Sequence, residues 1–348
     1  MNKRTLRNIM RLIKNNSELI KYVLCLCITI CFLMIFVPMI FSKIANHIEP
    51  NYNADNSSQY ETVKPPRKVT VYRTENKTTD TVAFEDYIMG VVACEMPSTF
   101  HQEALKAQAV AARTYSAAKI INSNNVGNPS AHPDAPLCDT THCQVYKNER
   151  ELKSLNGSEW IDSQWPKIKT VVEETKGELL YYDGKLVQQA LFHSSSGGKT
   201  ENSEDVFSSA VPYLVSVESP YEDDATHKNE QTALSINEFK DKIISYDSSL
   251  SLGNVTKDSI KIIKRSSGNR VEKMQVGDTY LTGRQIREAL SLPSANFTIK
   301  VSKDNIIITS NGSGHGVGMS QYGANGMAKE GYGYKKILSH YYSGTEVH

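Results

Sequence analysis

The chain has 348 residues, of which 39% are hydrophobic and 22% charged, with 20 glycines and 12 prolines. This composition excludes a collagen-like, low-complexity or wholly disordered protein, because such chains lack the apolar residues that offset the entropy of ordering. The net charge is +1, but six basic residues and one acidic residue fall within residues 1–21, so the remainder is mildly acidic. An acidic body argues against a nucleic-acid partner, which requires a cationic surface.

Residues 22–41, YVLCLCITICFLMIFVPMIF, are uncharged and numerous enough to cross a membrane as a helix. Because the basic residues 1–21 precede this stretch, the positive-inside rule predicts a cytoplasmic tail and a body outside the cell membrane. A cleaved signal peptide is the alternative, but its apolar region is shorter and ends at small residues. We therefore expect an uncleaved single-pass anchor. Residues 42–66 are polar and end in Pro65-Pro66, which predicts a linker.

The pattern of residues 67–348 predicts an α+β body of helices and antiparallel sheets. The run KVTVYRT alternates as a strand does, and AFEDYIMGVVACEM has helical spacing up to Pro97. An alanine-rich helix is predicted from about His101 to Ile121, followed by a polar loop. Asp183-Gly184 lies between two apolar runs and predicts a hairpin.

Residues 235–300 mix helical and strand patterns and predict a smaller inserted lobe that forms a cleft with the body. The helices are NEFKDKIISY and TGRQIREAL, and a strand pair is expected around Val271–Val276. After the lobe, the chain is predicted to close with the strand NIIITS, a glycine-dense loop and a helix from about Ser320 to Glu330.

Glu95 is the single carboxylate at the end of an otherwise apolar helix. Burial raises the pKa of a carboxyl group, and a raised pKa suits a general acid. The alternative for Glu95 is a helix-end side chain in solvent. Arg113, on the alanine-rich helix, is either a functional cation or a solvated or ion-paired arginine.

The segment 192–202, FHSSSGGKTEN, contains Ser196 and Lys199 at the S-x-x-K spacing of penicillin-binding proteins. That match is weak, because two glycines disfavour the required helix and the accompanying S-D-N and K-T-G motifs are missing. A polar loop whose glycines let a ligand approach the backbone fits better, with Lys199 as a hydrogen-bonding cation. A β-bulge or hairpin turn is equally compatible with the segment.

The segment 312–328, GSGHGVGMSQYGANGMA, contains regularly spaced glycines, but their spacing is not that of a phosphate-binding loop. The glycines instead permit tight turns that present His315, Gln321 and Tyr322. Four further tyrosines follow and offer faces for stacking on sugar rings, although core packing is the favoured interpretation for most of them. These are Tyr332, Tyr334, Tyr341 and Tyr342.

The body contains three cysteines, an odd number that excludes a complete disulfide framework. Two of them lie with two histidines between positions 132 and 143, and the four residues are His132, Cys138, His142 and Cys143. Imidazole and thiolate ligands suit tetrahedral zinc. A disulfide between the two cysteines is natural in an exported protein. The spacing alone leaves both interpretations open.

Five segments in this order resemble the stage II sporulation protein D family of peptidoglycan lytic transglycosylases, and the resemblance covers roughly residues 67–348. The segments are IMGVVACEMP, ALKAQAVAARTYS, FHSSSGGKTENSEDVF, GRQIREALSLPSANF and GHGVGMSQYGANGMAKEGYGYKKILSHYYSGTEV. The resemblance implies cleavage of glycan strands between N-acetylmuramic acid and N-acetylglucosamine without hydrolysis, leaving 1,6-anhydro ends.

The resemblance also implies roles for individual residues. Glu95 matches the catalytic glutamate, which acts as acid and then as base. Arg113 and Lys199 match basic residues implicated in activity, and a glycan in the cleft would also meet Ser195, Ser196, His315, Gln321 and Tyr322. A structural zinc is implied in the loop that carries the two histidines and two cysteines, with no open coordination position.

Three further expectations follow from the resemblance. The substrate is glycan stripped of its stem peptides, the partners are stage II sporulation proteins P and M, and the location is the space between mother cell and forespore during engulfment. Two other functions remain open at this point. One is a serine-type wall peptidase or amidase that uses Ser196 and Lys199, and the other is a non-catalytic, glycan-binding enhancer of an amidase.

Overall fold

The computed structural model describes residues 60–61, 63–207 and 209–348, which form an α+β fold with helices and mainly antiparallel sheets, as predicted. The predicted cytoplasmic tail, the predicted membrane span and most of the predicted linker lie outside the described residues. Within those ranges, none of the helices is long and apolar enough to cross a membrane.

The first half of the body consists of three strands and five helices. These are β1 (Lys68–Arg73), β2 (Thr78–Ala83), α1 (Phe84–Glu95), α2 (Gln102–Val126), β3 (Leu137–Cys138), α3 (Glu149–Asn156), α4 (Ser158–Ser163) and α5 (Trp165–Glu174). Strand β1 pairs antiparallel with β2 and parallel with β3. The long helix α2 packs against α1 and α5, because its buried alanines let neighbouring helices approach closely.

The expected helix ends are largely confirmed. Helix α1 ends at Glu95, just before Pro97, whereas α2 runs beyond the predicted Ile121 to Val126 and ends at Gly127, whose φ is +91°. A positive φ is a conformation that glycine adopts without strain, so the helix stops there.

The predicted hairpin is also confirmed, in a second group of elements: β4 (Leu180–Tyr182), β5 (Lys185–Leu186), β6 (Phe192–His193) and α6 (Ser203–Val206). Its turn residues Asp183 and Gly184 both have positive φ, of 49° and 70°. These are the conformations that a two-residue hairpin turn needs.

Residues 230–310 form a lobe with its own hydrophobic core. Its elements are β7 (Glu230–Ser235), α7 (Ile236–Tyr246), a 3₁₀ turn (Lys257–Ser259), β8 (Ile260–Arg265), β9 (Val271–Val276), β10 (Thr279–Leu281), α8 (Gly283–Leu290), β11 (Phe297–Val301) and β12 (Asn305–Ser310). Two antiparallel sheets, β8–β9–β10 and β7–β12–β11, contribute side chains to this core. The strand NIIITS is therefore part of the lobe, not of the closing segment as the sequence pattern suggested.

The chain then returns to the body through β13 (Met319–Ser320), α9 (Gln321–Lys329), α10 (Tyr334–Tyr341) and β14 (Thr345–Val347). Strand β13 pairs with β6 in parallel, and β14 pairs with β4. Helices α9 and α10 both contact α2. This return brings the glycine-dense loop next to the segment that contains Ser195 and Ser196.

Candidate active site and metal cluster

Glu95 lies at the C-terminal end of α1, where the side chain is half-buried. Its Oε1 accepts a hydrogen bond of 2.8 Å from the backbone N–H of Val145, and the Gln321 side chain also donates to this carboxyl group. Burial raises the pKa of Glu95, and the two hydrogen bonds partly oppose that rise because they favour the carboxylate. The local sequence pattern left both a buried acid and a solvated helix-end side chain open, and the structure places this carboxyl group in a partly buried position.

Glu95 lines a cleft of about 570 Å³, and the aromatic and cationic groups around it come from distant parts of the chain. Other lining residues are His142, Cys143, His193, Arg287 and His315. Among the cleft-lining residues that the structure describes, Glu95 is the only carboxylate. The described lining of this cleft therefore offers one carboxyl group, with no second carboxylate in it to activate a water molecule.

Two histidines in the cleft are held in the neutral form. The rings of His193 and His315 lie 5.7 Å apart, and burial lowers the pKa of both. The pKa of His315 falls to about 4, because the positive charges of Arg270 and Arg287 add to the effect of burial. His193 Nδ1 lies 3.2 Å from the carbonyl oxygen of Val317, which can only accept, so Nδ1 carries the proton and Nε2 is an acceptor.

The glycine-dense loop makes the close turns that the sequence predicts. His315 lies between Gly314 and Gly316, whose φ values are +101° and +87°. A Cβ atom on Gly316 would lie 2.2 Å from Cζ of the buried Arg270, so a larger residue would displace the guanidinium. The loop also contributes Gln321, which is buried against Gln108 at 3.4 Å.

Arg113 does not reach the cleft, and this corrects the expectation that it contacts substrate. Its side chain is 0% exposed, and its guanidinium forms an ion pair of 2.8 Å with Glu85 on α1. The remaining hydrogen bonds of the guanidinium go to the carbonyl oxygens of Val172 and Glu178. Arg113 therefore connects α2 to α1 and α5 inside the core.

Ser196 and Lys199 have different partners, so the alternative of a serine nucleophile with a neighbouring lysine is not supported, and neither residue belongs to the described lining of the Glu95 cleft. Ser196 is fully buried, and its Oγ donates to Glu222 Oε1 over 2.6 Å. Lys199 points elsewhere, because its Nζ is paired with Glu218 at 3.2 Å. Ser195 is also fully buried and exchanges backbone hydrogen bonds with Ser313. Without a lysine beside the serine, an acyl-transfer nucleophile of this type is not formed.

The tyrosines near the C-terminus mostly pack into the core. Tyr341 and Tyr342 are buried, in line with the favoured interpretation. Tyr322 is half-buried, and its ring packs against Phe100 with centroids 5.0 Å apart, so it does not line the cleft. Tyr332 is exposed on the surface.

The four predicted metal ligands converge at one edge of the cleft. One ligand atom from each residue lies within 4.8 Å of the others. Cys143 Sγ lies 3.4 Å from His132 Nε2 and 3.7 Å from His142 Nδ1, and Cys138 Sγ lies 3.8 Å from His142 Nδ1. Both cysteines are free thiols in this structure, so the alternative disulfide is not formed.

These distances fit a tetrahedral zinc site. Zn–S bonds of ~2.3 Å and Zn–N bonds of ~2.0 Å place sulfur and nitrogen ligands ~3.5 Å apart. A hydrogen bond from Cys143 lowers the pKa of the Cys138 thiol, which favours its thiolate form. His132 Nδ1 lies 2.7 Å from the Ala135 carbonyl oxygen, and this contact directs Nε2 towards the cluster.

Sequence reasoning missed three groups at this site: Arg287, His193 and the backbone N–H of Val145. Arg287 lies in the segment GRQIREAL, which the sequence pattern identified only as a helix of the lobe. The sequence shows Arg287 as the second arginine of a short amphipathic helix. Only the fold shows that the Arg287 side chain reaches the cleft.

The chain is similar to known proteins over most of its length. Residues 72–182 match the family model described as Stage II sporulation protein. Stage II sporulation protein D of Bacillus subtilis (strain 168) is 40% identical over 289 residues, which cover 82% of this chain and 81% of that protein. The protein of the same name from Bacillus amyloliquefaciens is 39% identical over 283 residues, with coverage of 81% and 79%.

The chain belongs to the stage II sporulation protein D family. The chain is also similar to part of an amidase enhancer of Bacillus subtilis (strain 168), which is 31% identical over 310 residues, covering 75% of this chain and 40% of that protein. Membership in the family assigns the chain to sporulation and is consistent with an enzyme that acts on the cell wall. The matched range 72–182 contains Glu95 and all four residues of the metal cluster.

Proposed function

We propose that the chain is a peptidoglycan lytic transglycosylase that cleaves the bond between N-acetylmuramic acid and N-acetylglucosamine. The observation that carries the proposal is the single carboxyl group of Glu95 in the described lining of the cleft. Hydrolytic glycosidases use two carboxylates that flank the scissile bond, one of which acts on water or on the sugar. A site with one carboxyl group suits a reaction in which the substrate supplies its own nucleophile.

In this reaction Glu95 performs both proton transfers. The protonated carboxyl group gives its proton to the glycosidic oxygen as the bond from that oxygen to C1 of the muramoyl sugar breaks. The C6 hydroxyl of the same sugar forms a new bond to C1 and releases its proton to the Glu95 carboxylate. Glu95 regains its starting state, no water is consumed, and the product has a 1,6-anhydro end.

The surroundings of Glu95 support both protonation states. Burial favours the protonated acid, whereas the hydrogen bonds from Val145 and Gln321 stabilise the carboxylate that forms after the first transfer. His193 and His315 remain neutral, so neither places a positive charge that would lower the pKa of the acid. A carboxyl group with this balance can serve first as a proton donor and then as a proton acceptor.

The metal cluster has a structural role in this proposal. His132, Cys138, His142 and Cys143 would hold zinc with four protein ligands, which leaves no position for a substrate or water. A bound zinc ion would cross-link the loop that contains Val145. The chemistry of bond cleavage stays with Glu95.

The anchor at residues 22–41 would place the body on the outer side of the cell membrane, in the space between mother cell and forespore. There the substrate would be denuded glycan, and stage II sporulation proteins P and M would be partners. The proposed membrane anchor is tested by replacing residues 22–41 with a cleavable signal peptide. We expect the released protein to keep glycan cleavage in solution but to lose co-purification with membranes.

Product analysis tests the reaction. The purified full chain is incubated with denuded glycan strands, and the products are weighed by mass spectrometry. We expect products lighter by one molecule of water than hydrolytic products, and we expect Glu95→Gln to lower the rate by about 10²–10⁴-fold. Glu149, an exposed residue in the first turn of α3, provides the matched Glu→Gln control. Products of hydrolytic mass would contradict the proposal.

A second candidate is a non-catalytic enhancer of a wall amidase, which the related amidase enhancer favours. The same incubation distinguishes the two functions. Intact glycan, together with faster peptide release when a wall amidase is added, would assign the enhancer function instead.

A further inference from the structure

Arg287 lies on helix α8 of the lobe, and its side chain lines the same cleft as Glu95. It also lines an adjoining cavity of about 370 Å³, which shares Phe207, Gly314 and His315 with the Glu95 cleft. The other lining residues of that cavity include four carboxylates, Glu201, Asp205, Glu272 and Glu288. The charge of Arg287 contributes to lowering the pKa of His315, so the two groups are close neighbours. The lobe thus places a cation in the cleft whose acid comes from the body.

The Arg287 guanidinium forms no ion pair with a described residue, although the negative charge of Glu288, on the same helix, acts on it from a longer distance. Its Nε donates to the Leu292 carbonyl oxygen over 3.3 Å, and no carboxylate of the described residues lies within ion-pair distance. Neighbouring arginines differ in this respect. Arg270 is paired with Glu201, and Arg284, on the same helix, is paired with Glu288 at 2.8 Å.

The setting of Arg287 favours an anionic ligand. Partial burial lowers the pKa of Arg287, but a guanidinium stays charged at any pH at which the protein is folded. The described lining of the Glu95 cleft also includes the neutral His193 and His315, aromatic rings and the Glu95 carboxyl group. A partly buried guanidinium without an ion-pair partner is stabilised most by a ligand carboxylate that accepts two parallel hydrogen bonds from it.

We propose that Arg287 binds the lactyl carboxylate of the muramoyl residue and so selects glycan from which the stem peptide has been removed. The inference rests on the proposed function. The muramoyl residue is the sugar whose C1 reacts beside Glu95, and its lactyl group is the one ionised group of a peptide-free strand. When a stem peptide is attached, this carboxylate becomes an amide and cannot pair with a guanidinium.

Binding to three glycans tests the assignment without any turnover. The full-length Glu95→Gln protein is titrated calorimetrically with denuded glycan, with the same glycan after its carboxylates are converted to methylamides, and with glycan that retains its stem peptides. We expect denuded glycan to bind about 10-fold to 100-fold more tightly than the other two. Equal or tighter binding of the peptide-bearing strand would assign Arg287 to a peptide carboxylate and overturn the lactyl assignment.

Substitution of Arg287 in the same background completes the test. Arg287→Gln is expected to reduce affinity for denuded glycan by about 10-fold to 100-fold and leave affinity for the methylamide glycan unchanged, whereas Arg287→Lys retains part of the preference. Arg284→Gln removes the same charge from the same helix and should change neither affinity. An equal loss of affinity for the denuded and the methylamide glycan, or no loss of affinity for either, would overturn the proposed role of Arg287. A Glu95→Gln protein that binds none of the three glycans would overturn the proposed function itself.

Discussion

Val145 donates its backbone N–H to Glu95 Oε1 over 2.8 Å, and Val145 follows Cys143 by two residues. The carboxyl group at the end of α1 is therefore held by the loop that carries the four candidate metal ligands. His142 and Cys143 line the same cleft as Glu95. The position of the acid consequently depends on the conformation of the metal loop.

This relationship predicts that zinc is required for full activity, although zinc takes no part in bond cleavage. We expect about one zinc per chain by elemental analysis, since the cluster offers one complete tetrahedral set. Cys138→Ser should lose most of the metal, lower the melting temperature and reduce glycan cleavage, because the loop no longer fixes the Val145 N–H.

Cys94 provides the control for this experiment. It is a free thiol outside the cluster, so Cys94→Ser should retain zinc. A fully active protein that lacks zinc and loses two thiols on oxidation would instead establish a disulfide between Cys138 and Cys143 and contradict the metal site.

The raised pKa of Glu95 makes the stability of the protein depend on pH. The unfolded chain titrates near the ordinary value of 4.5, whereas the folded protein keeps this proton to higher pH. Folding therefore favours the protonated form, and stability falls as pH rises from about 4.5 through the raised folded pKa. Glu95→Gln removes this titration and keeps an acceptor for the Val145 N–H.

Thermal unfolding of both proteins at pH 4 and pH 8 measures this effect. We expect the melting temperature of Glu95→Gln, relative to the unsubstituted protein, to be higher at pH 8 than at pH 4. A difference that is the same at both pH values would show that the Glu95 pKa is not raised by folding.

Glu95 and the four candidate metal ligands could be singled out from the sequence because their signals are local, although those signals left a solvated glutamate and a disulfide as open alternatives. An apolar helix with one terminal carboxylate and four ligands within twelve residues need no knowledge of distant contacts. The contacts of Arg113 could not be predicted in this way, because its partner Glu85 lies 28 positions earlier, on another helix. An alanine-rich helix that is buried on nearly every side has no polar face to show where an arginine points.

Other parts of the fold were missed although a signal existed. Asn148 and Glu151 form a capping box at the start of α3, and this N-x-x-E spacing can be read from the sequence. The lobe boundary was harder to predict. Strand β12 joins a sheet with β7, some 70 residues earlier, and such non-local pairing leaves no trace in the local pattern of either strand.

The core position of Arg113 predicts that its substitution acts through stability. Arg113→Met leaves Glu85 without its cation, and loss of one partner from a buried ion pair costs about 3–5 kcal/mol. Denaturant unfolding should show this loss, and the protein that remains folded should bind denuded glycan with unchanged affinity. The double variant Arg113→Met, Glu85→Met should recover part of the stability. A weakened affinity in fully folded Arg113→Met protein would restore the substrate-binding role.

The hydrogen bonds of Glu222 predict a second effect on stability. Its buried carboxylate connects the loop of Ser196 to the glycine-dense loop that ends at Ser320. Oε1 accepts from Ser196 Oγ at 2.6 Å, Ser219 Oγ at 2.9 Å and Ser320 Oγ at 2.5 Å, and Oε2 accepts from Gly197 N at 2.8 Å. Ser320 caps helix α9, whose first residue contacts the Glu95 carboxyl group. The network thus fixes the start of α9 relative to the acid.

Glu222→Gln replaces one acceptor of this network with an amide NH₂ that faces donors. We expect a loss of about 2–4 kcal/mol in the free energy of unfolding, because hydrogen bonds to a charged group are lost and a buried donor is left unpaired. Glu218→Gln is the matched control four residues earlier. Its side chain is 71% exposed and paired only with Lys199, so its effect should stay within about 0.5 kcal/mol. Equal effects of the two substitutions in urea unfolding would show that the Glu222 network does not hold these loops together.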